Sequence, residues 1–153
     1  MERKQGKSMD QVLSITKALA DGSRMRVIMA LTDHGELCVC QVTEMLNLAM
    51  PTVSRHMSVL QNAGLVKSRK DSRWVYYRLS EVFPPLCLKW LKEALMNSEN
   101  IAEDKKSMET ILSCDLEELC RTQKQRHMCS AEKIKKEKEQ RNTPHEKYMH
   151  SSI

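Results

Sequence analysis

Cys38 and Cys40, which are separated by a single residue, are the side chains in this sequence best suited to specific chemistry. Thiolates are the ligands that soft, thiophilic ions prefer, so the pair predicts a site for such an ion. Residues at i and i+2 share a face of an extended segment but lie about 200° apart on a helix. Chelation by both thiols therefore requires extended or locally unwound backbone. A helix beginning here would also lower the pKa of the thiols.

Two other interpretations of this pair stay open. Both thiols could be buried packing residues, or they could form a redox pair. The redox interpretation is the weaker one, because a Cys-x-Cys disulfide closes a strained ring and lacks the Cys-x-x-Cys spacing of redox motifs. No base adjoins either thiol and no nucleophile–base set is evident, so we predict that the protein is not an enzyme.

The other four cysteines are further candidates for a metal or thiol site. One of them, Cys87, lies on the apolar side of a predicted helix, where packing is favoured over ligation. The remaining three are six and nine residues apart and cannot share one helix face, so they would have to act from a flexible tail or across a dimer: Cys114, Cys120 and Cys129. We predict that His127, beside the last of them, is solvated.

The amino-terminal segment Met1–Asp10 is polar and lacks the apolar core of a signal peptide. No window approaches about 18 consecutive apolar residues, which a membrane-spanning helix would need. These features predict a cytoplasmic protein without membrane association. Thiols in that compartment stay reduced, and they serve more often as ligands, sensors or packing groups than as disulfides.

The net charge of +5 is concentrated in one part of the chain. Residues 98–153 carry 11 basic and 11 acidic residues, whereas residues 51–80 alone carry 6 basic residues against 1 acidic residue. A polyanion-binding surface is therefore predicted within that second stretch.

The hydrophobic periodicity before this stretch predicts four short helices. The first three cover Asp10–Ala20, Arg24–Leu31 and Val42–Leu46, and the first presents Val12, Leu13, Thr16, Leu19 and Ala20 on one face. A tight connection at 47–49 leads to a fourth helix, in which Pro51 suits the first turn. This fourth helix buries Val53, Met57 and Leu60 and ends at 62–64.

The pattern then changes to strands. Residues 65–69 and 74–79 are rich in β-formers around a polar, basic tip and predict a hairpin. Another helix follows to about Asn97. Beyond Ser98 we predict one amphipathic helix, Ser107–Cys120, and a mobile charged tail from Arg121.

Two helices joined by a tight turn and followed by a basic hairpin form a winged helix-turn-helix, in which the second helix enters the DNA major groove. On that helix, four short polar or basic side chains lie away from the buried stripe and can face DNA: Thr52, Ser54, Arg55 and Ser58. The neighbouring His56 is expected to pack or to contact a phosphate rather than read a base. The hairpin offers four further cations for phosphates or the minor groove: Lys67, Arg69, Lys70 and Arg73.

The chain resembles the ArsR/SmtB family of metal-responsive winged-helix repressors from about Val12 to Asn97. The resemblance rests on five segments: 18–24 (ALADGSR), 35–40 (GELCVC), 53–57 (VSRHM), 62–66 (NAGLV) and 74–79 (WVYYRL). The ELCVC string is similar to that of the arsenite and antimonite sensors. The resemblance implies a homodimer built from the first and post-wing helices, which its inducer releases from DNA.

This sequence departs from the family pattern in two places. Sensors with this string often carry a third cysteine where this chain has Thr43, so one loop does not provide three thiols. Asp71 and Ser72 stand at the wing tip in place of the usual glycine. Two other family metal sites are disfavoured. No cysteine precedes Cys38, as the cadmium- and lead-type site needs, and the post-wing helix lacks the Asp/His set of the zinc-, nickel- or cobalt-type site.

We therefore predict a mainly α protein with a small β-hairpin, whose residues 1–97 form a homodimeric DNA-binding domain and whose residues 98–153 form a charged extension. It would repress transcription at an inverted-repeat operator without a constitutive cofactor, and As(III) or Sb(III) bound at Cys38 and Cys40 would release it. A winged-helix sensor of redox state or of another soft metal is the nearest alternative. A thiol-based metal-buffering protein is an alternative of a different class.

Overall fold

The computed structural model describes residues 6–141, excluding the side chains at 127–131, 133, 140 and 141. The predicted fold class is confirmed, because helices dominate and surround one small antiparallel sheet. In chain order the elements are α1 (Met9–Leu19), α2 (Gly22–His34), β1 (Glu36–Cys38), α3 (Val39–Leu46), α4 (Met50–Asn62), β2 (Val66–Asp71), β3 (Trp74–Leu79), α5 (Pro85–Leu95), α6 (Glu99–Ser113) and α7 (Leu116–Arg141).

The first two helices begin at side-chain caps. At α1, the Ser8 hydroxyl accepts from the Gln11 amide and the Gln11 side chain accepts from the Ser8 amide, which satisfies two amides that the helix leaves unpaired. At α2, Asp21 accepts from the Arg24 amide at 3.0 Å. Helix α2 ends at Gly35, whose φ of 77° favours glycine.

The inward face of α1 differs from the prediction. Ile15, Ala18 and Leu19 are buried in the core, whereas Val12 and Leu13, nearer the amino end of the helix, are exposed. The predicted face was therefore wrong for most of its members. The buried face is rotated around the helix relative to the predicted one, and Leu19 is the one predicted residue that lies on both.

The predicted helix-turn-helix is present as α3 and α4. Helix α3 begins at Val39, three residues earlier than predicted. It ends at Asn47, whose left-handed backbone (φ 52°) reverses the chain within a short turn. Helix α4 buries Val53, Met57 and Leu60, as predicted. The order of the helices and their short connection place α4 as the recognition helix.

The sheet has one strand more than the predicted hairpin. Strand β1 pairs antiparallel with β3, so the strand order is β1-β3-β2. The hairpin turns at two residues between the paired Asp71 and Trp74. Ser72 has a φ of 55° there, the conformation for which family members use glycine. β1 was missed because three residues are too few to show strand periodicity.

The predicted single helix Ser107–Cys120 is wrong, since the chain forms two helices there. Cys114 is extended between α6 and α7, and the Asp115 carboxylate accepts from the Glu117 amide at 2.7 Å. An Asp cap therefore starts a new helix, with Glu118 at the third helical position in the pattern of a capping box. The backbone continues as α7 to Arg141, where a mobile tail was expected.

Helix α6 packs on α2 and α3 through the buried stripe Ile101, Met108 and Ile111. The same face carries Asp104, which accepts two hydrogen bonds from the Arg26 guanidinium, at 2.8 and 2.7 Å. Only 9% of the Asp104 side chain and 28% of the Arg26 side chain are exposed. The pair is bidentate and largely shielded from water, and it ties α6 to α2.

Substitution of Asp104 should therefore destabilise the fold markedly. Asp104→Ala leaves the Arg26 charge half-buried and unpaired, so we expect a loss of about 2–4 kcal/mol in the free energy of unfolding. Lys105→Ala is the matched control. It breaks an exposed pair with Asp33 (3.8 Å) and should cost less than about 1 kcal/mol. Urea unfolding measures both, and equal midpoints for the two variants would contradict a structural role for the buried pair.

None of the helices in the described part of the chain combines the length and hydrophobicity that crossing a lipid bilayer requires.

Candidate functional site

The recognition helix presents the predicted polar face to solvent. Ser54, Arg55 and Ser58 are exposed and Thr52 is half-buried, on the side of α4 away from its apolar stripe. Arg55 has no ion-pair partner among the side chains that the structure describes. Its charge is therefore available to a phosphate or a base edge in the major groove.

His56, which the sequence placed beside the buried stripe, packs against α2. Its Nδ1 lies 3.1 Å from the Arg24 guanidinium and 3.9 Å from the Asp21 carboxylate, and 16% of the side chain is exposed. Arg24 also donates to the carbonyl of Ala18 at the end of α1. His56 thus belongs to a polar cluster that fixes α4 on the first two helices.

The wing is the β2–β3 hairpin. Its four predicted basic side chains are exposed, and three of them form ion pairs with acidic residues. Lys67 Nζ lies 2.8 Å from the Glu81 carboxylate, and the Arg69 guanidinium donates to the Glu36 carboxylate at 2.9 Å. Arg69 also lies over the Tyr76 ring, 4.4 Å from its centroid. These contacts orient the cations along the wing in the absence of DNA.

The ion pairs of the wing also perturb the acidic partners. The hydrogen bond from Lys67 is the main cause that lowers the pKa of Glu81 to about 2, and the bond from Arg69 lowers the pKa of Glu36. Both carboxylates are therefore ionised at neutral pH. DNA phosphates must compete with them for the same cations.

The third of these ion pairs connects the wing to α7. Arg73 donates to Glu117 in the first turn of α7 and stacks over the Trp74 ring, 4.8 Å from its centroid. Lys70 is exposed, and the described side chains include no ion-pair partner for it. At the other end of the wing, the Gln61 side chain of α4 donates to the Ser68 hydroxyl at 2.8 Å. The recognition helix, the wing and α7 are thus joined by polar contacts.

Cys38 is the last residue of β1 and caps α3, where its side chain is fully buried. Burial raises the pKa of this thiol and outweighs the hydrogen bonds that it accepts from backbone amides, including that of Cys40. The expectation that the helix end lowers the pKa is therefore wrong for Cys38. Removal from water disfavours the thiolate by more than the helix terminus stabilises it.

Cys40 lies in the first turn of α3 and forms a disulfide with Cys120 of α7. The expectation that all six thiols are reduced is therefore wrong for this structure. The two Cα atoms are 6.0 Å apart across 80 residues of sequence, within the usual range for a bridged pair. The packing of α7 on α3 creates this proximity, which the local sequence does not encode.

The remaining cysteines lie apart from this pair. Cys87 is half-buried on α5, and burial raises the pKa of its thiol. Cys114 is exposed and contacts the carbonyl of Thr110 at 3.3 Å. The side chain of Cys129 lies outside the described residues. Among the described residues, no group of three His, Cys, Asp or Glu side chains is arranged to hold a metal ion, and Cys40 and Cys120 are bonded to each other.

Polar contacts reinforce the contact between α7 and α3 around the disulfide. The Gln123 side chain is buried and donates to the carbonyl of Cys40 at 2.9 Å and to Glu44 at 3.0 Å. Arg126 donates to the same Glu44 carboxylate at 2.8 and 2.9 Å. Burial would raise the pKa of Glu44, but these hydrogen bonds outweigh it and hold that pKa below its usual range.

A groove of about 620 Å³ opens beside the disulfide, between α3, the wing and the first turns of α7. Both bonded cysteines line it, and so do Arg73, Trp74 and Glu117. Cys38 does not line it. Solutes can therefore reach Cys40 and Cys120 directly from the groove, whereas Cys38, which caps the same helix, is buried beside them.

Sequence reasoning missed the residues that α7 brings to this site. Glu117 lies on the polar side of the predicted amphipathic helix, and Gln123 stands in the charged segment from Arg121, which has no apolar periodicity that would predict packing. The one usable local signal was the cap at Asp115, which predicts the start of α7 but not where that helix packs.

The geometry defines a class of protein, because a helix-turn-helix followed by a basic β-hairpin is a winged helix-turn-helix of the DNA-binding kind. Residues 21–68 match the domain described as "Bacterial regulatory protein, arsR family". The chain belongs to this family.

Two curated relatives illustrate the match. The arsenical resistance operon repressor of Escherichia coli (strain K12) is 39% identical over 82 residues, which are 54% of this chain and 70% of the relative. The arsenic resistance transcriptional regulator ArsR1 of Pseudomonas putida is 43% identical over 70 residues, which are 46% of this chain and 55% of the relative. Each of these matches covers about half of this chain.

Solved structures agree on the fold. HlyU from Vibrio cholerae N16961 superimposes with a TM-score of 0.54 at 27% identity, covering 61% of this chain and all of that one. The homodimeric winged helix-turn-helix domain of Mb0332 from Mycobacterium bovis has a TM-score of 0.50 at 26% identity, covering 62% and 93%. The winged helix-turn-helix prediction is confirmed.

Proposed function

We propose that this protein is a transcriptional repressor that binds operator DNA and is released by arsenite or antimonite. One observation carries the proposal, namely that a Cys-x-Cys pair forms the start of α3, the helix that packs against the recognition helix α4. An ion held by these thiols acts directly on the support of the DNA-reading element. The arsenic specificity is supported by the names of the curated relatives and by the softness of thiolate ligands.

DNA recognition would divide between α4 and the wing. Thr52, Ser54, Arg55 and Ser58 would face the major groove, while His56 would position α4 through its contacts with α2. The wing cations would contact flanking phosphates. Because most of them are already paired with carboxylates, DNA binding would exchange internal ion pairs for contacts with phosphate.

The proposed assembly is a homodimer on an inverted-repeat operator, supported by the homodimeric domain among the similar structures. Such a repressor works where its operator lies, in the cytoplasm, and it needs no catalytic activity. Residues 1–97 would bind DNA and dimerise, and residues 98–153 would modulate the response.

A redox sensor is a second candidate function, favoured by the disulfide between Cys40 and Cys120. In that case oxidation alone would change operator affinity. In the metal-buffering alternative, the reduced protein would bind ions without binding any specific operator.

The decisive experiment titrates the reduced protein on operator DNA with arsenite and antimonite and follows release by fluorescence anisotropy. An inducer can release DNA only through different affinities for the free and bound forms. The double variant Cys38→Ser/Cys40→Ser should bind the operator with wild-type affinity but remain bound, because serine hydroxyls are hard, weakly acidic ligands.

The control for this experiment is Cys87→Ser, which alters a half-buried thiol on α5 and should leave the release curve unchanged. Release of the double variant at the wild-type arsenite concentration would show that sensing occurs elsewhere. Release by oxidant alone would favour the redox sensor instead.

A further inference from the structure

We propose that Cys120 of α7 supplies the third thiolate of the arsenite site, completing a set with Cys38 and Cys40 at the start of α3. This inference rests on the proposed function and assigns a role to the extension. Trivalent arsenic binds soft sulfur ligands, and the position of the family's third cysteine is occupied by Thr43. Thr43 cannot replace it, since its hydroxyl is buried and donates to the carbonyl of Val39.

The packing of α7 brings Cys120 to the place where a third ligand is needed. Its Cα is 6.0 Å from that of Cys40, and the two sulfurs are close enough to bond. Cys38 accepts a hydrogen bond from the Cys40 amide, so its sulfur lies over the same first turn of α3. Three cysteines from two distant segments thus surround one helix terminus.

The surroundings hold Cys120 in this position without the help of the disulfide. Gln123, one turn further along α7, donates to the carbonyl of Cys40, and Arg126 contacts Glu44 on the next turn of α3. Leu119 is buried in the same contact. After reduction, these contacts keep α7 on α3 and the two thiols adjacent. The groove beside them gives arsenite a path from solvent.

The chemistry balances without a change of oxidation state once the thiols are free. Arsenous acid loses its three hydroxyl groups, each of which leaves as water with one thiol proton, and three As–S bonds replace three As–O bonds. The disulfide must first be reduced. A phosphine does this by transferring two electrons to the S–S bond and taking its oxygen from water, which yields two thiols and a phosphine oxide.

Arsenite bound by Cys40 and Cys120 would fix α7 to α3, next to the wing. The first turn of α7 carries Glu117, which pairs with Arg73 of the wing. Bound arsenite would therefore keep the Glu117 carboxylate paired with Arg73, and DNA phosphate would have to displace Glu117 to reach the Arg73 guanidinium. Release from DNA would follow from this competition together with the strain on α3.

The test compares Cys120→Ser with Cys114→Ser as matched control, because Cys114 is an exposed thiol just before the same helix. All proteins are reduced with a phosphine, since dithiol reductants bind arsenite. X-ray absorption at the arsenic edge should show three sulfur neighbours in the wild type and in Cys114→Ser. Cys120→Ser should show two sulfurs and one oxygen. Its arsenite affinity should fall on the order of 10²-fold, because one arm of the chelate is lost.

A second measurement guards against a folding defect. Circular dichroism and arsenite-free operator affinity should be unchanged in Cys120→Ser, and the arsenite concentration for release should rise by the same factor as the loss of binding. Wild-type coordination and release in Cys120→Ser, with both lost in Cys40→Ser, would overturn the role of Cys120 while the proposed function stands. Failure of arsenite to bind or release the wild type would overturn both.

Discussion

Operator affinity should fall steeply with salt, and neutralising the wing should flatten that dependence. Each phosphate contact that releases a counterion contributes a slope of about −0.9 to log affinity against log salt. Two protomers with several contacts each therefore predict a loss of about 10³-fold or more between 50 and 200 mM salt. A quadruple Gln variant of the wing cations removes up to eight of these contacts from the dimer: Lys67, Arg69, Lys70 and Arg73.

The control must remove the same charge without altering the wing. Four lysines of the extension serve this purpose, because all are exposed on α6 or α7 away from the hairpin: Lys106, Lys135, Lys136 and Lys138. Their replacement by Gln should shift affinity modestly through net charge and leave the slope close to that of the wild type. Fluorescence anisotropy across a salt series measures both. Equal slopes for the wing variant and the wild type would show that the wing does not touch DNA.

The winged helix-turn-helix could be predicted from the sequence because each of its helices and strands is determined by residues close together in the chain. The stripe Val53, Met57 and Leu60 follows helical spacing, Pro51 suits a first turn, and the hairpin alternates around a polar tip. Each element is specified by periodicity and turn chemistry within a few residues. The order of elements then left one plausible architecture, which the structure confirms.

The contact between the extension and α3 could not be predicted, because it depends on packing across 80 residues of sequence. Nothing in the spacing of Cys114 and Cys120 distinguishes the exposed thiol from the one that reaches Cys40. The buried Gln123 lies in the segment that the sequence predicted to be a mobile charged tail. Long-range pairing of polar groups leaves no periodic signal, so a structure is needed to find it.

The pKa of Cys38 shows a related limit of local reasoning. Its place at a helix amino end correctly indicated favourable backbone amides. Full burial against the sheet adds the opposing desolvation effect, which is the larger one. Burial depends on how β1 docks on β3, a pairing that three residues of sequence did not reveal.

Disrupting the exposed apolar face of α1 and α5 should abolish dimerisation and reduce operator affinity on the order of 10²–10⁴-fold, because the second half-site no longer binds intramolecularly. The exposed side chains are Leu86 and Trp90 on α5, at 82% and 59%, and Val12 and Leu13 on α1. Leu19 and Leu91, on the same two helices, are buried within one chain and are not part of the exposed set. A group of side chains this large and this exposed is typical of an interaction surface, and the expected occupant is a second copy of the chain.

The double variant Leu86→Asp/Trp90→Asp tests this, because it places two charges on the face without altering the buried Leu91. Leu112→Asp/Ile134→Asp is the matched control, since it changes exposed apolar residues on α6 and α7. Sedimentation at micromolar concentration should give a monomer for the first variant and a dimer for the control. On DNA, the first should bind one and two half-sites with nearly equal affinity, whereas the control should prefer the inverted repeat. A dimer in the first variant would place the two-fold interface on another surface, and the extension would then be the part of the chain to examine.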